Sequence, residues 1–529
     1  MTRLQAITDR NRKWWTLGSM SFALFMIMLD NTVVNVALPS IQSDLDASLS
    51  ALEWTVNAYT LSFAVLLVTG GRLGDIFGRR RMFLAGVVVF SLSSAAIGLA
   101  PTDTALVIGR AVQGVGAALM MPATLSIITN AFPPHERGKA IGTWAGVSAL
   151  ALAIGPVFGG FLTQEVSWRA IFFLNLPVAA GAVAVTLFAA RESRDETVAR
   201  SVDVPGIATL TAGLTALVLA LVEGNQWGWG SPIIVGLLAL AAVSLAAFVA
   251  VELRTRVPMV DFSFFRSRSF LGANVVAFIV SFAMLAMFFF IALYMQNILG
   301  YSPLEAGVRF LPSTVMVMVV GPISGRLSDR IGPRPLMVAG LLIVAASMLW
   351  QARIQVDTGF GYLLPAFVAM GIGIAMVMSP MSTAAMNAVH VSKAGVASGV
   401  LSMSRMVGGT FGVAALGALV AALGGSRLHE LLPALSEPER ERLTHALGSG
   451  TGSAAGNGAV ADAMREAYVH ALQYGLLIAA LLALAGAGLA AWLVGDRAER
   501  APEPGLAEME AAAAATPAAE HARAMETAG

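Results

Sequence analysis

Runs of about twenty apolar residues recur along the whole chain, and few architectures can accommodate such a pattern. A bilayer core takes roughly 20 residues of helix to cross. Fourteen runs of that length fall near 15–37, 51–71, 81–100, 104–127, 140–163, 169–190, 205–223, 232–252, 269–293, 306–325, 335–352, 360–381, 396–423 and 470–494. They are too long and too uniformly apolar for the alternating strands of a barrel, so the spans are read as helices. Charged residues make up 12% of the 529 residues and hydrophobic ones 57%, far from the roughly 25% charge of soluble domains. The expected fold class is an all-α integral membrane protein.

The loops fix an orientation. With residues 1–14 inside as a cytoplasmic lead-in to a retained helix, most Lys and Arg fall on the inner side. Clusters at Arg79–Arg80–Arg81, Arg191/Arg194/Arg200 and Arg254/Arg256/Arg266/Arg268 carry that asymmetry, whereas the first outer loop bears Asp44 and Asp46. Trp14, Trp15, Trp54, Trp168, Trp227 and Trp229 sit near the expected surfaces, as an aromatic belt does. An even number of spans returns the C-terminus inside. Residues 424–468 read as an external loop, and 496–529, rich in Ala, Glu and Pro, as a disordered cytoplasmic tail. Scarce lysine and abundant Ala, Gly and Arg hint at a GC-rich bacterial genome, and the expected location of such a multi-span chain is the bacterial cytoplasmic membrane.

An internal repeat divides the chain. Gly71-Arg72-Leu73-Gly74-Asp75-Ile76-Phe77-Gly78-Arg79-Arg80 follows the second span. Gly325-Arg326-Leu327-Ser328-Asp329-Arg330-Ile331-Gly332-Pro333-Arg334 follows the tenth, also on the inner face. The equivalent places imply two six-helix bundles, 15–190 and 269–495, with two inserted helices and their linkers in 191–268. Related halves around a central site are what alternating access needs.

These loops resemble the signature of the major facilitator superfamily, and fourteen spans resemble its drug:proton antiporter branch. Asp30-Asn31-Thr32-Val33-Val34-Asn35, within Leu29 to Pro39, is similar to that branch's first-helix signature. Arg110-Ala111-Val112-Gln113-Gly114-Val115-Gly116 resembles its fourth-helix proton-coupling motif. Gly142 through Gly155-Pro156-Val157-Phe158-Gly159-Gly160 resembles its antiporter motif, with Ala151 where glycine is usual. The resemblance implies proton-coupled export of hydrophobic, often cationic, drugs by a major-facilitator fold. It also implies that the antiporter motif keeps that export coupled.

The residues can be read physically beside it. An acid in an apolar span is costly and usually functional, so Asp30 is a candidate proton carrier; a helix–helix hydrogen bond with Asn31 or another polar neighbour is the bland alternative. Arg110 falls at the same depth, about 9–10 Å below the outer surface at 1.5 Å per residue. A contact between them would make either a coupling switch or a static ion pair. Asn31, Asn35, Gln113 and Arg405 are candidates for the substrate pathway; Arg405 stands equally well as a structural group. Asp75 and Asp329 are expected to brace an inner gate by accepting from arginines or from an opposing helix N-terminus, with Gly71, Gly78, Arg79, Arg80, Gly325, Gly332 and Arg334 around them. Glu53 and Glu223 are expected to be solvated at outer helix ends.

Other function classes find little support. A net charge of +1 gives no field for nucleic acid. Six histidines are scattered, and neither His-Glu-x-x-His nor a phosphate-binding Gly-x-x-x-x-Gly-Lys-Ser/Thr loop is present, so no metal or nucleotide cofactor is expected. The expected partners are protons, membrane lipid and a small hydrophobic substrate. A dedicated exporter of one natural product or lipid is the nearer alternative, and a non-transporting receptor or membrane enzyme the distant one.

Overall fold

A computed structural model describes residues 11–195, 202–255, 258–433, 436–449 and 458–495. The first bundle comprises α1 (Arg12–Leu45), α2 (Leu49–Phe77), α3 (Arg79–Gly98), α4 (Asp103–Ala131), α5 (Arg137–Glu165) and α6 (Trp168–Ala189). Two further helices, α7 (Val204–Trp227) and α8 (Pro232–Glu252), form the inserted pair. The second bundle holds α9 (Arg268–Leu293), α11 (Leu311–Ile331), α12 (Pro333–Gln351), α13 (Phe360–Asn387), α14 (Ala394–Leu431) and α16 (Ala459–Leu493). Short helices α10 (Pro303–Arg309) and α15 (Glu437–Ser449) complete it, and no strand occurs among the described residues.

Fourteen of these helices have 19 residues or more, consistent with the fourteen expected spans. Thirteen are long and apolar enough alone to cross a membrane; α5, the glycine-rich remainder, has 29 residues. A helix satisfies its own backbone groups, which is why apolar runs in a bilayer take this form. Local chemistry marks where they start. Ser48, Thr102, Ser167, Ser231 and Ser267 cap the helices that follow them, and Ser302 forms a capping box with Glu305. The outer flank of α8 leaves Val235, Leu240 and Val243 half or more exposed, an arrangement suited to lipid rather than water.

Several expectations need correction. The repeated inner motifs are not loops: Gly71–Phe77 belongs to α2 and Gly325–Ile331 to α11. One residue breaks each helix, Gly78 at φ +110° and Gly332 at φ +88°, where a side chain would be strained. The external loop is shorter than 424–468, because α14 runs on to Leu431, α15 folds within it and α16 starts at Ala459. Glu223 is buried, since α7 packs against α2 and α14. Trp168 is also buried, donating from Nε1 to Asp44 at 3.1 Å and tying the end of α1 to α6. Arg200, Arg256 and the tail 496–529 lie outside the described residues.

The two bundles meet along two seams, α2 on α14 and α5 on α11. At the inner end each seam is backbone on backbone. A Cβ on Gly71 would sit 2.2 Å from the Gly395 carbonyl oxygen, and one on Gly325 would sit 2.0 Å from that of Gly138. Glycine is required because nothing larger fits between the two carbonyl-bearing turns. Further in, Gly142 faces the Gly321 carbonyl in the same way.

This geometry makes the inner seal sensitive to one methyl group. The chain has no cysteine, so Ala397→Cys, at a fully buried position in α14, reports cleanly on inner access. Gly325→Ala is expected to raise labelling of that cysteine by an impermeant maleimide from the inner side, on the order of several-fold. Unchanged labelling would show that the seam tolerates the added bulk.

Candidate functional site

Asp30 lies in the middle of α1, 1% exposed, and collects donors from two other helices. Arg110 of α4 donates from Nη1 to Oδ2 at 2.5 Å. Gln113, one turn along α4, donates from Nε2 to Oδ1 at 3.0 Å, and Asn175 of α6 donates to the same oxygen at 2.9 Å. Arg110 is itself held by Gln113 Oε1 at 2.8 Å and by the Thr55 carbonyl of α2 at 3.0 Å. Its guanidinium stacks 4.1 Å from the ring centroid of Tyr59, whose buried hydroxyl has no hydrogen-bond partner among the described residues. Asn175 also donates to Ser94 Oγ at 3.0 Å, and Ser94 donates to the Phe172 carbonyl.

This arrangement fits an acceptor-only carboxylate. All three donors aim at Asp30, so a proton on either oxygen would face a donor and force at least one partner to move. Removing one member of such a buried pair costs about 3–5 kcal/mol, because the other charge is left unpaired. Chemically, the site joins a carboxylate, a guanidinium and two amides into one buried hydrogen-bonded set that links α1, α4 and α6.

The α5 glycines sit beside it. A Cβ on Gly155 would overlap Thr32 Oγ1 at 1.9 Å, and one on Gly159 would meet the Val33 backbone at 3.1 Å. Gly160 makes only ordinary contact with Val36. Thus α5 rests on α1 within three residues of Asp30 at its outer half and crosses α11 at Gly138 and Gly142 at its inner half. The helix runs unbroken through Pro156, whose side chain lies outside the described residues.

At the inner face the two repeated aspartates act across the bundles. Asp75 of α2 accepts from the backbone N–H groups of Gly395 and Val396, the first turn of α14, at 3.0 and 2.8 Å. Asp329 of α11 accepts from Gly138 and Lys139, the first turn of α5, at 2.9 and 3.0 Å. Each bundle therefore caps a helix of the other. The copies differ in one respect. Arg79 donates to Asp75 Oδ1 at 2.8 Å and to the Val391 and Ser392 carbonyls, whereas the equivalent position in the second copy is Pro333. Arg80 reaches the Ala190 carbonyl, and Glu192 accepts from the Arg80 backbone N–H, fastening the linker after α6 to this corner. Arg334 lies in the first turn of α12. Nearby, Lys13 donates to Glu136 in the turn before α5 and holds that carboxyl below its usual range.

The proposed pathway residues separate. Gln113 is fully buried, with Asp30 and Arg110 claiming both ends of its amide. Asn31 is half-buried beside Asp30, and exposed Asn35 donates to the Asn31 carbonyl at 3.1 Å. Arg405 is half-buried in α14, distant in sequence and in bonding from the Asp30 cluster.

Two bundles, aspartates that each cap a helix of the other bundle, and a buried ion pair define the architecture, and comparison with known proteins shows its family. The family model described as Major Facilitator Superfamily matches residues 20–413. The chain belongs to the Major Facilitator Superfamily. The tetracenomycin C resistance and export protein of Streptomyces glaucescens is 36% identical over 506 residues, covering 93% of this chain and 94% of that one. The multidrug resistance protein Stp of Mycobacterium tuberculosis (strain CDC 1551 / Oshkosh) is 37% identical over 428 residues, with 81% and 78% covered. A crystal structure of the human organic anion transporter MFSD10 (TETRAN) shares the fold, with a TM-score of 0.57, 14% identity, and 89% and 99% of the chains covered.

Within this facilitator, sequence reasoning missed Asn175, Ser94 and Tyr59. Asn175 had a signal: it is an amide inside an otherwise apolar run, and such a group must find a partner in the protein. Asn175→Ala is expected to lower stability by about 1.5–3 kcal/mol, the usual weight of a hydrogen bond to a charged group. Thermal unfolding of purified protein in detergent measures it; an unshifted midpoint would mean that water takes the amide's place.

Proposed function

We propose that this facilitator exports small hydrophobic molecules, drugs or antibiotics among them, across the bacterial cytoplasmic membrane in exchange for protons. The observation that carries the reading is the Asp30 cluster, a buried carboxylate whose three donors come from α4 and α6. Protonation of Asp30 from the outer side would release a donor, and Arg110 would shift. The change would pass through α5, which touches α1 beside Asp30 and α11 at the inner seam. Parting of the Asp75 and Asp329 caps would then open the inner face, and their re-formation would close it. Asn31 and Asn35, on the same helix as the carboxylate, and Arg405 on the facing bundle are proposed to line the route of the cargo. In this orientation both chain ends lie in the cytoplasm.

The names of related proteins support export of toxic small molecules. They also leave room for a narrower reading, since one relative is named for a single antibiotic and another for many drugs. A substrate panel separates the two: one good compound identifies a dedicated exporter, several a multidrug one.

Inverted vesicles acidified inside are expected to lose part of their pH gradient when substrate is added. Asp30→Asn is expected to abolish that response while leaving the protein in the membrane. A normal response from Asp30→Asn would remove the aspartate from the coupling mechanism.

A further inference from the structure

The first bundle uses its interior arginine fully; the second does not. Arg405 stands eleven residues into α14, about 16 Å from the inner seam at 1.5 Å per residue. No hydrogen bond or ion pair to it occurs among the described residues, and it is half-buried. Arg79, Arg110 and Arg137 differ, each bonding to two or more acceptors. A guanidinium at membrane depth needs an acceptor, and the protein supplies none here.

Its direction follows from the helix. Ser398 lies two turns earlier on the same stripe and donates to the Pro122 carbonyl of α4, across the bundle boundary, at 2.8 Å. Arg405 therefore faces the first bundle. The α4 helix runs antiparallel, so seven residues along from Pro122 brings Val115 to its level, with half-buried Leu119 nearby. Arg110 lies roughly 7–8 Å farther toward the outer side. Met403, Met406 and Val407 flank the arginine on α14 and are partly buried. The buried carboxylates of the spans are committed or remote: Asp30 to Arg110, Asp75 and Asp329 to helix N-termini, Glu223 near the outer end of α7, and Glu252 at the inner end of α8, which packs on α7.

We propose that Arg405 binds an oxyanion, such as a carboxylate, carried by an otherwise hydrophobic cargo. This rests on the export reading and names the charge class of its cargo. A guanidinium offers two parallel N–H donors to a carboxylate, while methionine and aliphatic side chains beside it accept apolar bodies of varied shape. A cationic cargo meets repulsion at the same point. The cargo charge and the proton site are thus held by different arginines in different bundles, so neither has to be displaced by the other.

The test uses full-length protein and three probes with one ring system: an anthracene carboxylate, its carboxamide and its methylammonium analogue. Binding is read by fluorescence, and efflux from proteoliposomes with an imposed pH gradient is read separately. Wild type is expected to bind the carboxylate roughly tenfold more tightly than the carboxamide, with the ammonium weakest. Arg405→Gln is expected to bring the carboxylate-to-carboxamide ratio to about one, and Arg405→Lys to an intermediate value. A wild-type ratio near one, a ratio unchanged by Arg405→Gln, or no binding of any probe would overturn the proposal. If Arg405→Gln does not fold, the wild-type ratio and Arg405→Lys still decide. Preferential carboxylate binding without proton-driven efflux of any probe would instead remove the export reading and leave the anion site standing.

Discussion

A bilayer offers no water to the polar groups within it, and the interior of this protein is organised around that shortage. Asp30 is tolerable because Arg110, Gln113 and Asn175 surround it; Arg110 is tolerable because Asp30, Gln113 and the Thr55 carbonyl surround it in turn. Asp75 and Asp329 follow the same rule by a different route. They find partners in the unfilled N–H groups at the starts of α5 and α14, which themselves need acceptors. Each polar group is stable only in one geometry of its neighbours, so a change in any of them moves helices.

The two bundles share their mechanics and divide their chemistry. Both copies of the repeated motif end a helix at a glycine of positive φ, and both present an aspartate to a helix of the other bundle. Only the first copy adds Arg79, which bonds the Val391 and Ser392 carbonyls of the facing bundle; at the other seam Ser379 reaches the Gly138 carbonyl instead. The buried acid has no counterpart either: at the offset of the repeat, Asp30 corresponds to Met284 and Arg110 to Leu364. The second bundle instead keeps Arg405, which has no acidic partner among the described residues.

Much of this was legible in the sequence because a membrane narrows the choices. Apolar runs of helix length could be nothing else, and the repeat at Gly71 and Gly325 divided the chain before any coordinate was known. The depth of Asp30 and Arg110 followed from counting residues along two helices. Three things were hidden. Helix continuation through Gly71–Phe77 was masked by charge and glycine, which read as loop; tertiary packing overrides that local preference. Glu223 was expected in water because the sequence does not show that α7 lies against α2 and α14. Asn175 was overlooked as one amide in a long span, since its partner is 145 residues away.

The reciprocal capping also bears on how the protein is made. Asp75 must wait for Gly395 and Val396, up to 321 residues later, and the start of α5 must wait for Asp329, 190 residues or more later. At synthesis rates of about 5–20 residues per second, those delays run from roughly ten seconds to about a minute. Throughout that interval the first bundle sits in the membrane with its inner corner unfinished, and water at the cytoplasmic surface must serve as placeholder. The start of α14 therefore closes this corner late in synthesis, when only α15 and α16 are still to follow, and the first bundle is completed by a helix that belongs to the second.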